Sequence, residues 1–108
     1  MLAVFGLVIG VLAALLLRPT VPQELTRYVA IAVVAALDAS CGGIRAYLER
    51  TFNDRIFVAA FLINAGAALA LVWVGEQLAV DLTTAVVVVF GIRILQNLAA
   101  IRRRVLGG

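Results

Sequence analysis

The stretch IFVAAFLINAGAALALVWV, residues 56–74, decides the fold because nineteen consecutive residues carry no charge. At about 1.5 Å per residue, a helix of this length spans about 28 Å, close to the roughly 30 Å hydrocarbon core of a bilayer. One polar residue, Asn64, interrupts the run. The stretch therefore predicts a transmembrane helix.

Two further runs, residues 2–17 and 82–92, also lack charged residues. Across all 108 residues 65% are apolar and the mean hydropathy is +1.14, whereas an ordinary soluble domain is about 45–50% apolar. A soluble domain of this size cannot bury that much apolar surface, so such runs belong in lipid. We therefore expect an all-α, multi-pass transmembrane helical bundle.

The runs predict four helices in a single domain covering residues 1–108, over residues 2–17, 21–44, 56–74 and 82–101. The first run lacks the basic start and small-residue cleavage pattern of a signal peptide, so we interpret it as a retained helix. Within it, Gly6, Gly10 and Ala14 are spaced four apart, which suits close helix packing, although chance spacing in such an Ala- and Gly-rich run is the alternative.

Apolar residues recur every three or four positions over residues 44–56, with charged residues between them. This pattern predicts a short amphipathic helix in the membrane interface, with an ordinary polar loop as the alternative. Directly before it, Gly42 and Gly43 either break the second helix within the membrane or let it bend into the interface.

The net charge of +3 comes from nine arginines and six carboxylates, without lysine or histidine. The arginines cluster at the ends of the apolar runs rather than in a basic stripe, so we do not expect nucleic-acid binding. Six arginines fall on the side of both termini and two on the other. This bias predicts that both termini lie on the cytoplasmic side of the membrane. With no histidine and the lone Cys41, no metal or other cofactor is expected.

Charged groups also lie inside the predicted helices, seven to nine residues from the nearest basic residue at a helix end, about 10–14 Å deep. A charge at that depth costs at least about 2.5–3.5 kcal/mol, so Asp38 and Arg93 should face the bundle interior and pair. The predicted intramembrane polar cluster comprises Asp38, Asn64, Arg93, Gln96 and Asn97. The Asp38–Arg93 pair either only fixes the register of the helices or takes part in binding or permeation of a ligand.

Two segments, IAVVAALDASCGGIRA at 31–46 and FGIRILQNLAAIRR at 90–103, resemble the signature segments of the bacterial small basic protein family. The resemblance implies a multi-pass plasma-membrane protein without an assigned biochemical function, often encoded near cell-division or envelope genes. The motif positions that it carries over are Asp38, Gly42, Gly43, Arg45, Gly91, Arg93, Gln96 and Asn97.

Catalysis is not expected, because Ser40 is the only serine and no base stands at a spacing that would activate it or Cys41. We predict a non-enzymatic scaffold or assembly partner for other envelope or cell-division proteins. Its partners would be the lipid bilayer and another membrane protein, a second copy of the chain, or both. The alternative is a small oligomeric transporter or lipid-binding unit in which Asp38 and Arg93 face the substrate.

Overall fold

Four α-helices make up the protein in a computed structural model that describes residues 2–17 and 22–107, without the side chains of Leu17 and Glu24. No strand occurs in these two ranges, so the predicted all-α architecture is confirmed. Two predicted features lie outside the described residues: the start of the second helix at Val21, and Arg18, one of the two arginines predicted on the side opposite the termini. The helices are α1 (Leu2–Leu17), α2 (Gln23–Leu48), α3 (Asp54–Gln77) and α4 (Thr83–Leu106).

Three of these helices are long and apolar enough to cross a membrane: α2 from Leu25 onward, α3 and α4, each over 24 residues. At about 1.5 Å per residue each is about 36 Å long, which is enough to cross the roughly 30 Å hydrocarbon core with some tilt. Helix α1, which contains no polar or charged residue, has 16 residues and is about 24 Å long. The chain is a helical membrane protein.

The central helix is α2, which packs against each of the other three, most extensively against α4. By contrast, α1 touches α3, and α3 touches α4, only briefly. The chain reverses direction between successive helices, so α2 and α4 run parallel. We call the end where α2 and α4 finish and α3 begins the basic end, because six arginines lie there: Arg45, Arg50, Arg55, Arg102, Arg103 and Arg104.

The apolar core lies between α2, α3 and α4, toward the end opposite the basic end. Its two most completely buried side chains are Ile31 of α2 and Val72 of α3. The buried cluster comprises Ile31, Ala35, Ala68, Val72, Val86 and Phe90. This half of the bundle is therefore closely packed by side chains from three helices.

The predicted separate interfacial helix over residues 44–56 is wrong. Helix α2 continues through Gly42 and Gly43 to Leu48, so the glycines neither break nor end it. A Cβ at Gly43 would lie 2.8 Å from Cγ2 of Val4 and 2.9 Å from Cε2 of Phe57. Glycine at this position lets α1 and α3 approach the α2 backbone closely, which accounts for it without a break.

Asn53 explains why α3 starts two residues earlier than predicted. Its side-chain oxygen accepts hydrogen bonds from the backbone N–H groups of Arg55 (3.0 Å) and Ile56 (3.2 Å). An asparagine N-cap satisfies donors that the first helical turn leaves unpaired. The charged residues Asp54 and Arg55 therefore belong to the helix rather than to the loop.

The predicted end of the fourth helix at residue 101 is also wrong, because α4 continues through three arginines to Leu106. Arginine is a good helix former, and cations stabilise the last turn of a helix. The helix ends at Gly107, whose φ of 72° is left-handed and whose N–H donates to the Arg103 carbonyl at 3.0 Å. Glycine adopts this capping conformation without steric cost.

A tight connection joins α3 to α4. The N–H of Val80 donates to the carbonyl of Gly75 at 2.8 Å, and a Cβ at Gly75 would lie 2.5 Å from the Val80 carbonyl oxygen. Asp81 then accepts a hydrogen bond from the Thr83 backbone N–H at 2.9 Å. This backbone hydrogen bond lowers the pKa of Asp81 below its ordinary value, because it stabilises the charged carboxylate.

Candidate functional site

The two segments that resemble the small basic protein signatures lie against each other along the α2–α4 contact. Arg93 pairs with Asp38 across it, with 3.3 Å between Nη2 and Oδ2. One turn nearer the basic end, a Cβ at Gly42 would be 3.5 Å from Nδ2 of Asn97. Arg45 donates from Nη1 to Oδ1 of Asn97 at 3.2 Å. Five of the eight motif residues thus lie at a parallel helix interface with polar contacts at two levels: Asp38, Gly42, Arg45, Arg93 and Asn97.

The Asp38–Arg93 ion pair, predicted from the cost of burying a charge in lipid, is present. Arg93 is the eleventh of 24 residues of α4, so the pair lies near the middle of that helix. Its partners differ in burial: Asp38 is 3% exposed, whereas the Arg93 side chain is 45% exposed. Oδ1 of Asp38 has no hydrogen-bond partner among the described residues, so the pair leaves one buried acceptor unsatisfied.

A first cleft, the α2–α3 cleft, runs from this pair to the loop at the basic end and has a volume of about 190 Å³. On its α2 side the wall consists of alanine and glycine residues apart from Asp38, and Arg93 reaches it from α4. The lining residues are Ala35, Asp38, Ala39, Gly42, Gly43, Ala46, Thr51, Phe52, Asn53, Ile56, Phe57, Ala60, Phe61, Asn64 and Arg93. The buried carboxylate therefore faces a polar-ended cleft.

A second cleft, the α3–α4 cleft, separates the two helices that touch only briefly, and its volume is about 320 Å³. Its walls are apolar except for Asn64 and Arg93, which line both clefts. The lining residues are Asn64, Ala67, Ala68, Leu71, Leu82, Ala85, Val86, Val89, Phe90 and Arg93. The guanidinium of Arg93 is thus placed between two cavities.

The remaining members of the predicted polar cluster are distributed differently from the prediction. Asn97 bonds Arg45 rather than the ion pair, and Arg45 also pairs with Glu49, with 3.2 Å from Nε to Oε2. Gln96 is exposed on the outer face of α4. Asn64 is half-buried beside Arg93 in both clefts. The structure therefore brings together Asp38, Arg93 and Asn64, but not the two amides of α4.

A polar cluster at the opposite end escaped the sequence reasoning. Glu76 of α3 pairs with Arg27 of α2, with 2.7 Å from Nη1 to Oε1. The Tyr28 hydroxyl donates to the other carboxylate oxygen of Glu76, also at 2.7 Å. The sequence did contain a pattern that predicts this pair: Arg27 precedes the apolar run of α2 and Glu76 follows that of α3, so an antiparallel helical hairpin places both residues at the same end of the bundle. These contacts tie α2 to α3 where the chain leaves the apolar core.

Two of the three residues of the predicted packing stripe of α1 face open space among the described residues. Gly6 and Gly10 are exposed, and nothing lies within 4 Å of a Cβ added at either. Ala14 is half-buried. The same open space surrounds Gly91 of α4. The stripe stays a prediction, now about contact with lipid or another chain.

Chemically, the central site offers a carboxylate acceptor, a guanidinium donor and an amide within an apolar bundle. Among the described residues, no three His, Cys, Asp or Glu side chains gather as a metal site would require. The groups present suit hydrogen bonding and charge pairing at membrane depth. In such an environment each unsatisfied polar group costs free energy, so binding of a hydrogen-bonding or charged partner to these groups is favourable.

Comparison with known proteins identifies the family. A family model described as "Protein of unknown function (DUF1290)" matches residues 21–106. The chain belongs to the DUF1290 family. This match covers α2, α3 and α4, and so includes the Asp38–Arg93 pair and both clefts.

Relatives of this DUF1290 chain extend the likeness over almost its whole length. Uncharacterized proteins of Mycobacterium tuberculosis and Mycobacterium bovis are each 49% identical over 109 residues, covering 99% of this chain and 90% of the relative. The "Small basic protein" of Bacillus subtilis is 44% identical over 105 residues, covering 97% of this chain and 87% of the relative. The resemblance to the small basic protein family is thereby confirmed. No solved structure matches the chain.

Proposed function

We propose that this protein is a non-enzymatic membrane scaffold that binds a transmembrane helix of another membrane protein in the α3–α4 cleft. The single observation that carries the proposal is Arg93, whose side chain is 45% exposed near the middle of a helix long enough to span the membrane. A charged donor at this depth is expensive unless it is paired. Asp38 approaches this side chain at Nη2, with 3.3 Å from Nη2 to Oδ2, and the exposed part of the side chain faces away from the bundle core.

The walls of the cleft support a helix as the occupant. Ala67 and Ala85 are exposed on the facing sides of α3 and α4 and line the cleft. Small residues permit close approach of helix backbones in a membrane, where packing and interhelical hydrogen bonds drive association. An incoming helix with a hydrogen-bond acceptor near its centre, such as a carboxylate, hydroxyl or amide, would complement both the apolar walls and Arg93.

The location belongs to the same proposal: a bacterial plasma membrane, with both termini in the cytoplasm. Six arginines gather at the basic end, and cytoplasmic loops carry the excess of arginine and lysine in membrane proteins. The named relatives come from bacteria. Envelope or cell-division proteins are the class of partner that fits this location.

A second candidate is a small oligomeric transporter or lipid-binding unit that uses the same ion pair. It is favoured by a specific observation, the unpartnered Oδ1 of Asp38 in the α2–α3 cleft. An intramembrane carboxylate is a common element of substrate and proton pathways. Four helices enclose little space, so this function would require several copies of the chain.

Site-specific photocrosslinking in native membranes tests the proposal, with a purification tag after Gly108. A photoreactive benzoylphenylalanine replaces Ala85 in the cleft or, as the matched control, Ala70 of α3, which is exposed and lines neither cleft. Mass spectrometry then maps each crosslinked peptide. The scaffold function predicts crosslinks from Ala85, and not from Ala70, to a transmembrane segment of one or two other proteins.

Two other results would count against it. Crosslinks from Ala85 only to a second copy of the chain would favour the oligomeric transporter. Crosslinks from Ala85 only to lipid would contradict a helix in the α3–α4 cleft.

A further inference from the structure

The strongest unexplained feature is a buried oxygen atom. Asp38 is 3% exposed, and its Oδ1 has no partner among the described residues. Leaving a buried acceptor unsatisfied costs about 1–3 kcal/mol, and more for a charged group. A hydrogen-bond donor that reaches Oδ1 from a direction that the protein leaves open would remove this cost.

The α2–α3 cleft is that direction. It extends from Asp38 to Thr51 and Asn53 in the loop at the basic end, and both of these residues are exposed. Asp38 lies ten residues before the end of α2 at Leu48, which corresponds to about 15 Å of depth. The cleft therefore connects the mid-membrane ion pair with one membrane surface.

Water is a hydrogen-bond donor that fits the size and the polar lining of this cleft. Its volume of about 190 Å³ exceeds the roughly 30 Å³ that one molecule occupies in liquid water, so several molecules fit. A buried water needs two to four polar partners, and Asp38, Arg93 and Asn64 all line the inner end. Waters there would satisfy Oδ1 and hydrate the guanidinium.

The other half of the bundle gives water no comparable path, because the α3–α4 cleft that reaches it has only apolar walls beyond Asn64 and Arg93. Ala35 lines the inner end of the α2–α3 cleft and also belongs to the buried cluster with Ile31, Val72 and Phe90. These side chains come from three helices and pack together beyond the ion pair. An apolar core of this kind gives water no polar partners, so it ends the hydrated path at Asp38.

We infer that the α2–α3 cleft is a one-sided water inlet that hydrates the Asp38–Arg93 pair from the basic end. The carboxylate is thereby accessible to water and small hydrophilic solutes from one side of the membrane and sealed from the other. The inlet goes beyond the proposed function, because it uses the α2–α3 cleft and Oδ1 of Asp38, whereas the partner helix would bind in the α3–α4 cleft; Arg93 and Asn64 line both.

Cysteine accessibility tests it. In a Cys41→Ser background, single variants Ala39→Cys and Ala46→Cys place a thiol along the α2 wall of the cleft. Ala60→Cys does so from α3, and Ala70→Cys is the control outside both clefts. The probe is a negatively charged, membrane-impermeant methanethiosulfonate, added to sealed vesicles of either orientation, and labelling rates are read by mass spectrometry.

The inlet predicts labelling of Ala46→Cys, Ala39→Cys and Ala60→Cys from the basic side, about tenfold or more faster than Ala70→Cys, because the reactive thiolate forms in water and not in lipid. Labelling should be absent from the opposite side. Equal rates at Ala39→Cys and Ala70→Cys would overturn the inference. So would labelling at Ala46→Cys alone, since water would then stop short of Asp38. Because labelling is measured on both the α2 wall and the α3 wall of the cleft, the test still decides the question if one variant fails to fold.

Discussion

Replacing Gly43 by alanine should destabilise the bundle through overpacking at one defined point. The new methyl group would lie 2.8 Å from Cγ2 of Val4 and 2.9 Å from Cε2 of Phe57, closer than carbon atoms pack at about 3.5–4.0 Å. Forcing extra atoms into a packed site typically costs about 1–3 kcal/mol. Against this, alanine in a helix interior is about 0.8–1.0 kcal/mol better than glycine.

A matched control removes the helix-propensity contribution. Nothing lies within 4 Å of a Cβ added at Gly91 or Gly66, so Gly91→Ala and Gly66→Ala gain the propensity without the clash. The difference between Gly43→Ala and these controls should therefore equal the overpacking cost, about 1–3 kcal/mol. The assay is equilibrium unfolding in mixed micelles at increasing dodecyl sulfate fraction, followed by far-ultraviolet circular dichroism.

Equal stabilities for Gly43→Ala and Gly91→Ala would mean that α1 and α3 do not approach α2 at this glycine. Adding Val4→Ala to Gly43→Ala removes one of the two clashing side chains. Recovery of part of the loss in the double variant, relative to Val4→Ala alone, is expected if the contact is real.

Three further predictions follow from polar contacts. Arg93→Met should lower the unfolding free energy in micelles more than Asp38→Asn does, because it strands a carboxylate that is 3% exposed without its charged partner; the reverse order would contradict the burial asymmetry. Asn53→Ala should cost about 1 kcal/mol by removing the α3 N-cap, and Asn53→Asp should restore it; no loss on Asn53→Ala would exclude the cap. The hydrogen bond from the Thr83 N–H lowers the pKa of Asp81. Its contribution to stability is therefore complete above the unfolded-state pKa and is lost as the pH falls through the lower folded-state pKa. Thermal unfolding measured between neutral and acidic pH should show this acid-dependent loss in the unmodified protein and not in Asp81→Asn.

Much of the fold could be predicted because the length and charge pattern of the apolar runs reflect the bilayer itself. Residues 56–74 predicted α3 directly, and only its first turn required the N-cap of Asn53. The errors arose where a residue's role depends on tertiary contacts. Gly43 looked like a helix breaker but accommodates Val4 and Phe57, and no local pattern distinguishes those two roles.

The candidate site was predictable only in part, for an equally physical reason. The cost of an unpaired charge in lipid required Asp38 and Arg93 to meet, and they do so at 3.3 Å. Which amide lies near which charge depends on the rotation of α4 against α2. Asn97 therefore reached Arg45 instead of the ion pair. The two clefts depend on the separation of α3 from α4, which sequence spacing does not encode.

The central claim is that Arg93 anchors a partner helix in the α3–α4 cleft, and quantitative partner recovery from Ala85 crosslinking tests it most directly. Arg93→Gln should reduce the crosslinked partner about 5- to 30-fold, since an interhelical polar contact in a membrane contributes about 1–2 kcal/mol. Arg102→Gln, at the exposed basic end of the same helix, should leave recovery unchanged. Undiminished recovery with a folded Arg93→Gln variant would contradict the account.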